Sequence, residues 1–70
     1  MTTDRLREVV IAGHTGDVAA IEARADDADP EVRVAVLGAL DRARALTDDR
    51  VRAAFGDEHP AVRRRAAELA

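Results

Sequence analysis

The chain has 70 residues and a mass of 7.5 kDa, with 11 Arg, no Lys, 14 acidic residues and a net charge of −3. It has no Cys, Trp or Tyr and one aromatic residue, Phe55. These facts exclude disulfides, thiolate metal sites and a cysteine nucleophile, and the length admits one domain. No apolar run approaches the roughly 18 residues of a membrane helix. The start, Met1-Thr2-Thr3-Asp4-Arg5, is polar and leads into no signal-peptide apolar region, so a cytoplasmic location is expected.

The 16 Ala match the 16 Leu, Ile, Val and Phe combined, so alanine must do much of the packing. Alanine is the best helix former and lets helices approach closely. The chain lacks the β-branched and aromatic enrichment of a sheet protein. An all-α fold follows. Charge is uneven: residues 1–35 carry 4 Arg against 8 acids, and residues 36–70 carry 7 Arg against 6 acids.

Thr3 or Asp4 can cap a first helix, with Leu6, Val9, Val10 and Gly13 at helical spacing. Gly13-His14-Thr15-Gly16 reads as a turn, because two glycines punctuate it. Thr15 or Asp17 can cap a short second helix whose inner face carries Val18, Ile21 and Ala25. An acidic turn then ends in Pro30, which suits the first turn of a helix capped by Asp29. That third helix is predicted to run to about Arg44. Val32, Val36 and Leu40 form one stripe, and Val34 and Leu37 lie off it. Apolar residues on two sides predict a helix buried between neighbours. Leu46-Thr47-Asp48-Asp49 starts a fourth helix, which turns Val51, Ala54 and Phe55 inward. A fifth begins at Pro60 with Val62, Ala66 and Leu69 inward, and no capping residue follows it.

A shift of 30 residues brings Ala23 onto Ala53, Asp27 onto Asp57, Pro30 onto Pro60, Val32 onto Val62 and Arg33 onto Arg63. The repeated unit is helix, acidic turn with Pro, helix. Asp27-Ala28-Asp29-Pro30-Glu31-Val32-Arg33 with Val36 and Leu40, and Asp57-Glu58-His59-Pro60-Ala61-Val62-Arg63 with Ala66, resemble HEAT-like repeats of the phycobilisome-lyase type. The resemblance covers residues 17–70. It implies a short α-α solenoid of about five helices in a single domain, residues 1–70. Residues 3–13 would be a partial N-terminal helix, 17–44 repeat one and 47–70 repeat two. It also implies that Asp27, Arg33, Asp57 and Arg63 form a structural ladder between repeats. The second copy departs from the first, with Arg65 and Ala67 in place of Ala35 and Leu37. Gly13-His14-Thr15-Gly16-Asp17-Val18 is similar to part of an ankyrin repeat, but the Thr-Pro-Leu-His opening and the 33-residue period are missing.

Little here suggests catalysis or ligand chemistry. The chain has no Ser and only two His, His14 and His59, both in turns. Neither has the spacing of a metal site. The acidic turn before Pro30 lacks the Gly and distal Glu of a calcium loop. The Gly13–Gly16 segment lacks a phosphate loop's Lys and spacing. No enzyme activity, metal or cofactor is expected. The resemblance instead implies a non-enzymatic protein–protein interaction or scaffold module, with Arg42, Arg64 and Glu68 as candidate surface residues. Self-association through the uncapped C-terminal helix is a further expectation. One alternative is nucleic-acid binding by the Arg-rich C-terminal half. Against it stand the acidic balance, the absence of stacking aromatics, and the roughly 200° spread of Arg63, Arg64 and Arg65 around a helix. The other alternative, an accessory subunit of a lyase, rests on the repeat subtype alone.

Overall fold

The computed structural model describes residues 2–70. Among these residues the chain is all-helical: α1 (Thr2–Thr15), α2 (Val18–Glu22), α3 (Pro30–Arg42), α4 (Asp48–Phe55) and α5 (Pro60–Leu69). The helices pack into a body of 26 × 25 × 16 Å. α3 is central: it lies between α1 and α5 and also touches α2, while α2 rests on α1 and α4 on α5. No helix is long and apolar enough to cross a membrane.

Side-chain caps set where four of the helices start. Asp17 Oδ1 accepts the Ala20 N–H at 3.2 Å, and Asp29 Oδ1 accepts that of Glu31 at 2.8 Å. Thr47 Oγ1 accepts from Arg50 and His59 Nδ1 from Ala61, both at 3.1 Å. Each satisfies a donor that the first helical turn leaves unpaired. Thr15 takes no part in starting α2; its hydroxyl donates back to the Ala12 carbonyl.

The turn expected over Gly13–Gly16 is a correction. α1 runs through Gly13 and His14 to Thr15. Gly13 is buried because α1 meets α3 there: an added Cβ would lie 2.9 Å from Ala39 Cβ. The stop is Gly16, at φ 75°, after which the Asp17 N–H returns to the Ala12 carbonyl at 2.9 Å. α3 closes in the same way, two residues earlier than expected. Arg44 takes φ 58°, and the Ala45 N–H reaches the Leu40 carbonyl at 2.8 Å. This left-handed helix stop favours glycine and strains an L side chain by about 1–2 kcal/mol. Arg44→Gly is therefore expected to raise stability by about 0.5–1 kcal/mol, part of the relief being offset by glycine's larger unfolded-state entropy. A urea titration checks this; a lower midpoint would contradict it.

The core has two clusters that share α3. On one side Val9, Ala12, Ile21, Val32, Val36, Ala39 and Leu40 are buried together. On the other, Leu37 meets Ala54, Val62 and Ala66, with Val34, Val51 and Leu69 packed around them. Leu46 touches both clusters. Two expected inward residues point out: Val18 is 37 % exposed and Phe55 47 %. α2 has only five residues, so Ile21 alone of its apolar positions is fully buried. In α4 the small Ala54 occupies the contact with α5 and leaves the larger ring at the edge.

Candidate functional site

Asp27 and Asp57 each stand three residues before a helix-starting proline. Each carboxylate folds back on its own turn: Asp27 Oδ1 accepts the Asp29 N–H at 2.9 Å and Asp57 Oδ1 that of His59 at 2.8 Å. An arginine from the preceding helix of the α1–α3–α5 series then engages each one. Arg5 Nε donates to Asp27 Oδ2 at 2.8 Å. Arg33 is bidentate on Asp57, with Nε to Oδ2 at 2.9 Å and Nη2 to Oδ1 at 3.0 Å. Planar two-point pairs of this type are the strong form of arginine–carboxylate contact. Arg33 also sends Nη1 to the Asp27 carbonyl at 2.7 Å, and Arg63 repeats that bond to the Asp57 carbonyl at 2.7 Å. The result is a continuous run: Arg5, Asp27, Arg33, Asp57, Arg63. Among the described residues no carboxylate pairs with Arg63.

Arg5 is the member that the sequence reading missed. Arg33 and Arg63 are 30 residues apart, but Arg5 and Arg33 are 28 apart, so the uniform shift hides it. The signal available was Arg5-Leu6 with Val9 against Arg33-Val34 with Leu37, an arginine followed by apolar residues one and four places on.

The ladder fixes the charge of its members. The Asp29 N–H, and next the Arg5 guanidinium, hold the Asp27 carboxyl below the usual carboxylate range. The Arg33 guanidinium, and then the His59 N–H, do the same for Asp57, and Asp57 in turn raises Arg33. These carboxyls are more acidic folded than unfolded. Their contribution to stability is complete above the ordinary carboxyl pKa of about 4 and is lost as pH falls below it. Wild-type urea midpoints should stay flat from pH 7 to about 5 and then fall. Asp57→Asn should lower the pH 7 midpoint and make the acid fall shallower; an unchanged acid slope would remove Asp57 from the account.

A second feature lies across α1, α3 and α5. It is a shallow groove of about 230 Å³ lined by Val10, Val34, Gly38, Ala39, Arg42 and Arg65, among others. Val10 is 42 % exposed there. Arg42 Nη1 lies 3.5 Å from His14 Nε2. Gly38 gives Arg65 room to lie over α3, since an added Cβ would be 3.4 Å from Arg65 Nη2. Of the candidate surface residues, Arg42 lines the groove. Glu68 reaches it only by pairing with Arg65 at 3.0 Å. Arg64 is exposed and stands outside it.

Among the described residues no polar or charged residue is buried, and no group of three or more His, Cys, Asp or Glu side chains could hold a metal ion. The carboxyls with resolved shifts move toward firmer ionisation, the direction opposite to a general acid's need at neutral pH. The apolar stripe of α5 is turned inward: Val62 is 2 % and Ala66 0 % exposed. Outward, α5 shows Arg63, Arg64, Ala67 and Glu68. Comparison with protein-family models, curated proteins and solved structures yields no match.

Proposed function

We propose that this chain is a non-enzymatic protein-interaction module, a short HEAT-like α-α solenoid that offers the α1–α3–α5 groove to a partner protein. The observation that carries the reading is the repeated rung. The Arg5–Asp27 and Arg33–Asp57 pairs recur at corresponding places, each with the same Asp turn. Rungs of this kind tie successive helices into one register, as a stacked repeat requires. A surface spanning three such helices is held in shape without ligand, which lowers the ordering cost of binding. Exposed Val10 on the groove, with Arg42 and Arg65 at its sides, supplies an apolar contact and two charges for orientation.

The arginine-rich half supports nucleic-acid binding less well, because several of its charges are engaged within the chain. Arg50 pairs with Glu22, Arg52 with Asp49 and Arg65 with Glu68. The test is photo-crosslinking in cells, with the reactive residue placed at Val10 or, as a control, at exposed Ala19 on α2. A discrete protein adduct from Val10 and none from Ala19 is expected. Equal labelling from both positions, or none from Val10, rejects the groove as the interaction surface.

A further inference from the structure

α1, α3 and α5 share one register, set by the equivalent positions of Arg5, Arg33 and Arg63. In that register Val32, Val36 and Ala39 of α3 correspond to Val62, Ala66 and Leu69 of α5. Each set turns toward the preceding helix of the series and is buried or half-buried. The corresponding residues of α1 are Asp4, Glu8 and Ile11. These are exposed, and Ile11, at 54 %, is the most exposed large apolar side chain among the described residues. They border a hollow floored by Ala12 and Ala20.

The opposite end shows the converse. The residues that α3 turns toward α5 are Arg33, Val34 and Leu37, and in the same register α1 turns Arg5 and Val9 toward α3. On α5 the same positions hold Arg63, Arg64 and Ala67, all exposed. One end face therefore carries Asp4 and Glu8 around an exposed isoleucine, with Arg7 on the same hollow and Arg24 paired to Glu8, and the other carries Arg63 and Arg64 around an alanine, with Glu68 beside them. Polar end faces are what a solubilising cap provides. A cap needs charge, but it has no need of opposite charge at the two ends.

From this we infer that α5 of one copy docks on α1 of the next, with Arg63 and Arg64 against Asp4 and Glu8 and with Ala67 against Ile11. The register supports the pairing directly. Inside the chain, Arg33 and Val62 border one cavity. Their counterparts across the docked ends are Arg63 and Asp4. Arg63 is already held by its bond to the Asp57 carbonyl, as Arg33 is held by Asp27. Its remaining edge is thus set for a carboxylate, and Asp4 makes no ion pair among the described residues. Arg24 already neutralises part of the charge on Glu8, at 2.7 Å, so Asp4 is the stronger acceptor. The contact is head to tail and leaves a free end at each step, so it grows without closing. It goes beyond the groove reading and does not depend on it.

Light scattering from micromolar to millimolar protein tests this, in salt of about 0.01 M, where the screening length is about 30 Å, and of about 1 M, where it is about 3 Å. The mass should climb continuously with concentration at low salt and return to 7.5 kDa at high salt. Asp4→Arg and Arg64→Asp alter exposed side chains that make no hydrogen bond within the described chain, so both variants should fold, Asp4→Arg melting somewhat earlier because it gives up a favourable charge in the first turn of α1. Each should lose the growth. A mass of 7.5 kDa throughout overturns the inference. So does growth that persists in either single variant.

Discussion

Leu40→Ala is expected to remove much of the stability of this chain. Leu40 is fully buried and shares its cluster with Val9, Ile21, Val32 and Val36. Truncating such a leucine costs about 2–5 kcal/mol. A domain of this size has roughly 4–10 kcal/mol in all, at about 0.05–0.15 kcal/mol per residue. The upper half of the cost range applies here, because Ala12, Ala39 and other small neighbours cannot reach into the space left behind. The backbone is also held in place, since the Leu40 carbonyl accepts the Ala45 N–H that closes α3. Phe55→Ala makes the control. Phe55 is the largest apolar side chain, yet it is 47 % exposed, and its loss should cost under about 1 kcal/mol. Urea titrations of the two variants settle the order. If Phe55→Ala proved the more damaging, the division of the core described above would be wrong.

Phe55 also marks a limit of the sequence. A period of 3.6 places it on the apolar face of α4, but the small Ala54 decides which edge of that face meets α5. Elements bounded by rigid chemistry were legible: Asp29-Pro30 and His59-Pro60 mark the starts of α3 and α5, and both helices begin there. Helix ends were not. Gly13 reads as punctuation, but the helix continues and uses that glycine to let α3 approach. The left-handed stop falls on Gly16 in one case and on Arg44 in the other, and composition gives no hint of the second. On the ladder, the six-residue spacing of Asp27 to Arg33 and Asp57 to Arg63 was visible, whereas Arg5 was hidden because it lies 28 residues before Arg33 and not 30. The groove was not legible: Arg42 was named only as an exposed residue, and helical spacing does not fix the angle at which α5 rests on α3, which puts Arg65 over Gly38.

Gly13→Ala and Gly38→Ala should change stability in opposite directions. Both glycines lie inside helices, and the change gains up to about 1 kcal/mol of helix propensity at each. Their surroundings differ. At Gly13 the new Cβ would sit 2.9 Å from Ala39 Cβ and 3.0 Å from Ala39 Cα. One of these is backbone, so no rotamer change relieves the overlap and α1 must move off α3. Forcing one extra methyl into a packed contact costs about 1–3 kcal/mol, and the motion would also disturb Val9 beside it. The net effect is destabilising. At Gly38 the nearest atom is Arg65 Nη2 at 3.4 Å, the far end of a flexible side chain. The guanidinium can swing aside, so the propensity gain survives and the midpoint rises. Paired urea titrations read both signs; a stabilised Gly13→Ala would mean that α1 and α3 are not held this close. Gly38→Ala separates surface from fold as well. It fills the floor of the groove while strengthening the helix beneath it, so a fall in crosslinking at Val10 in this variant reports on recognition and not on unfolding.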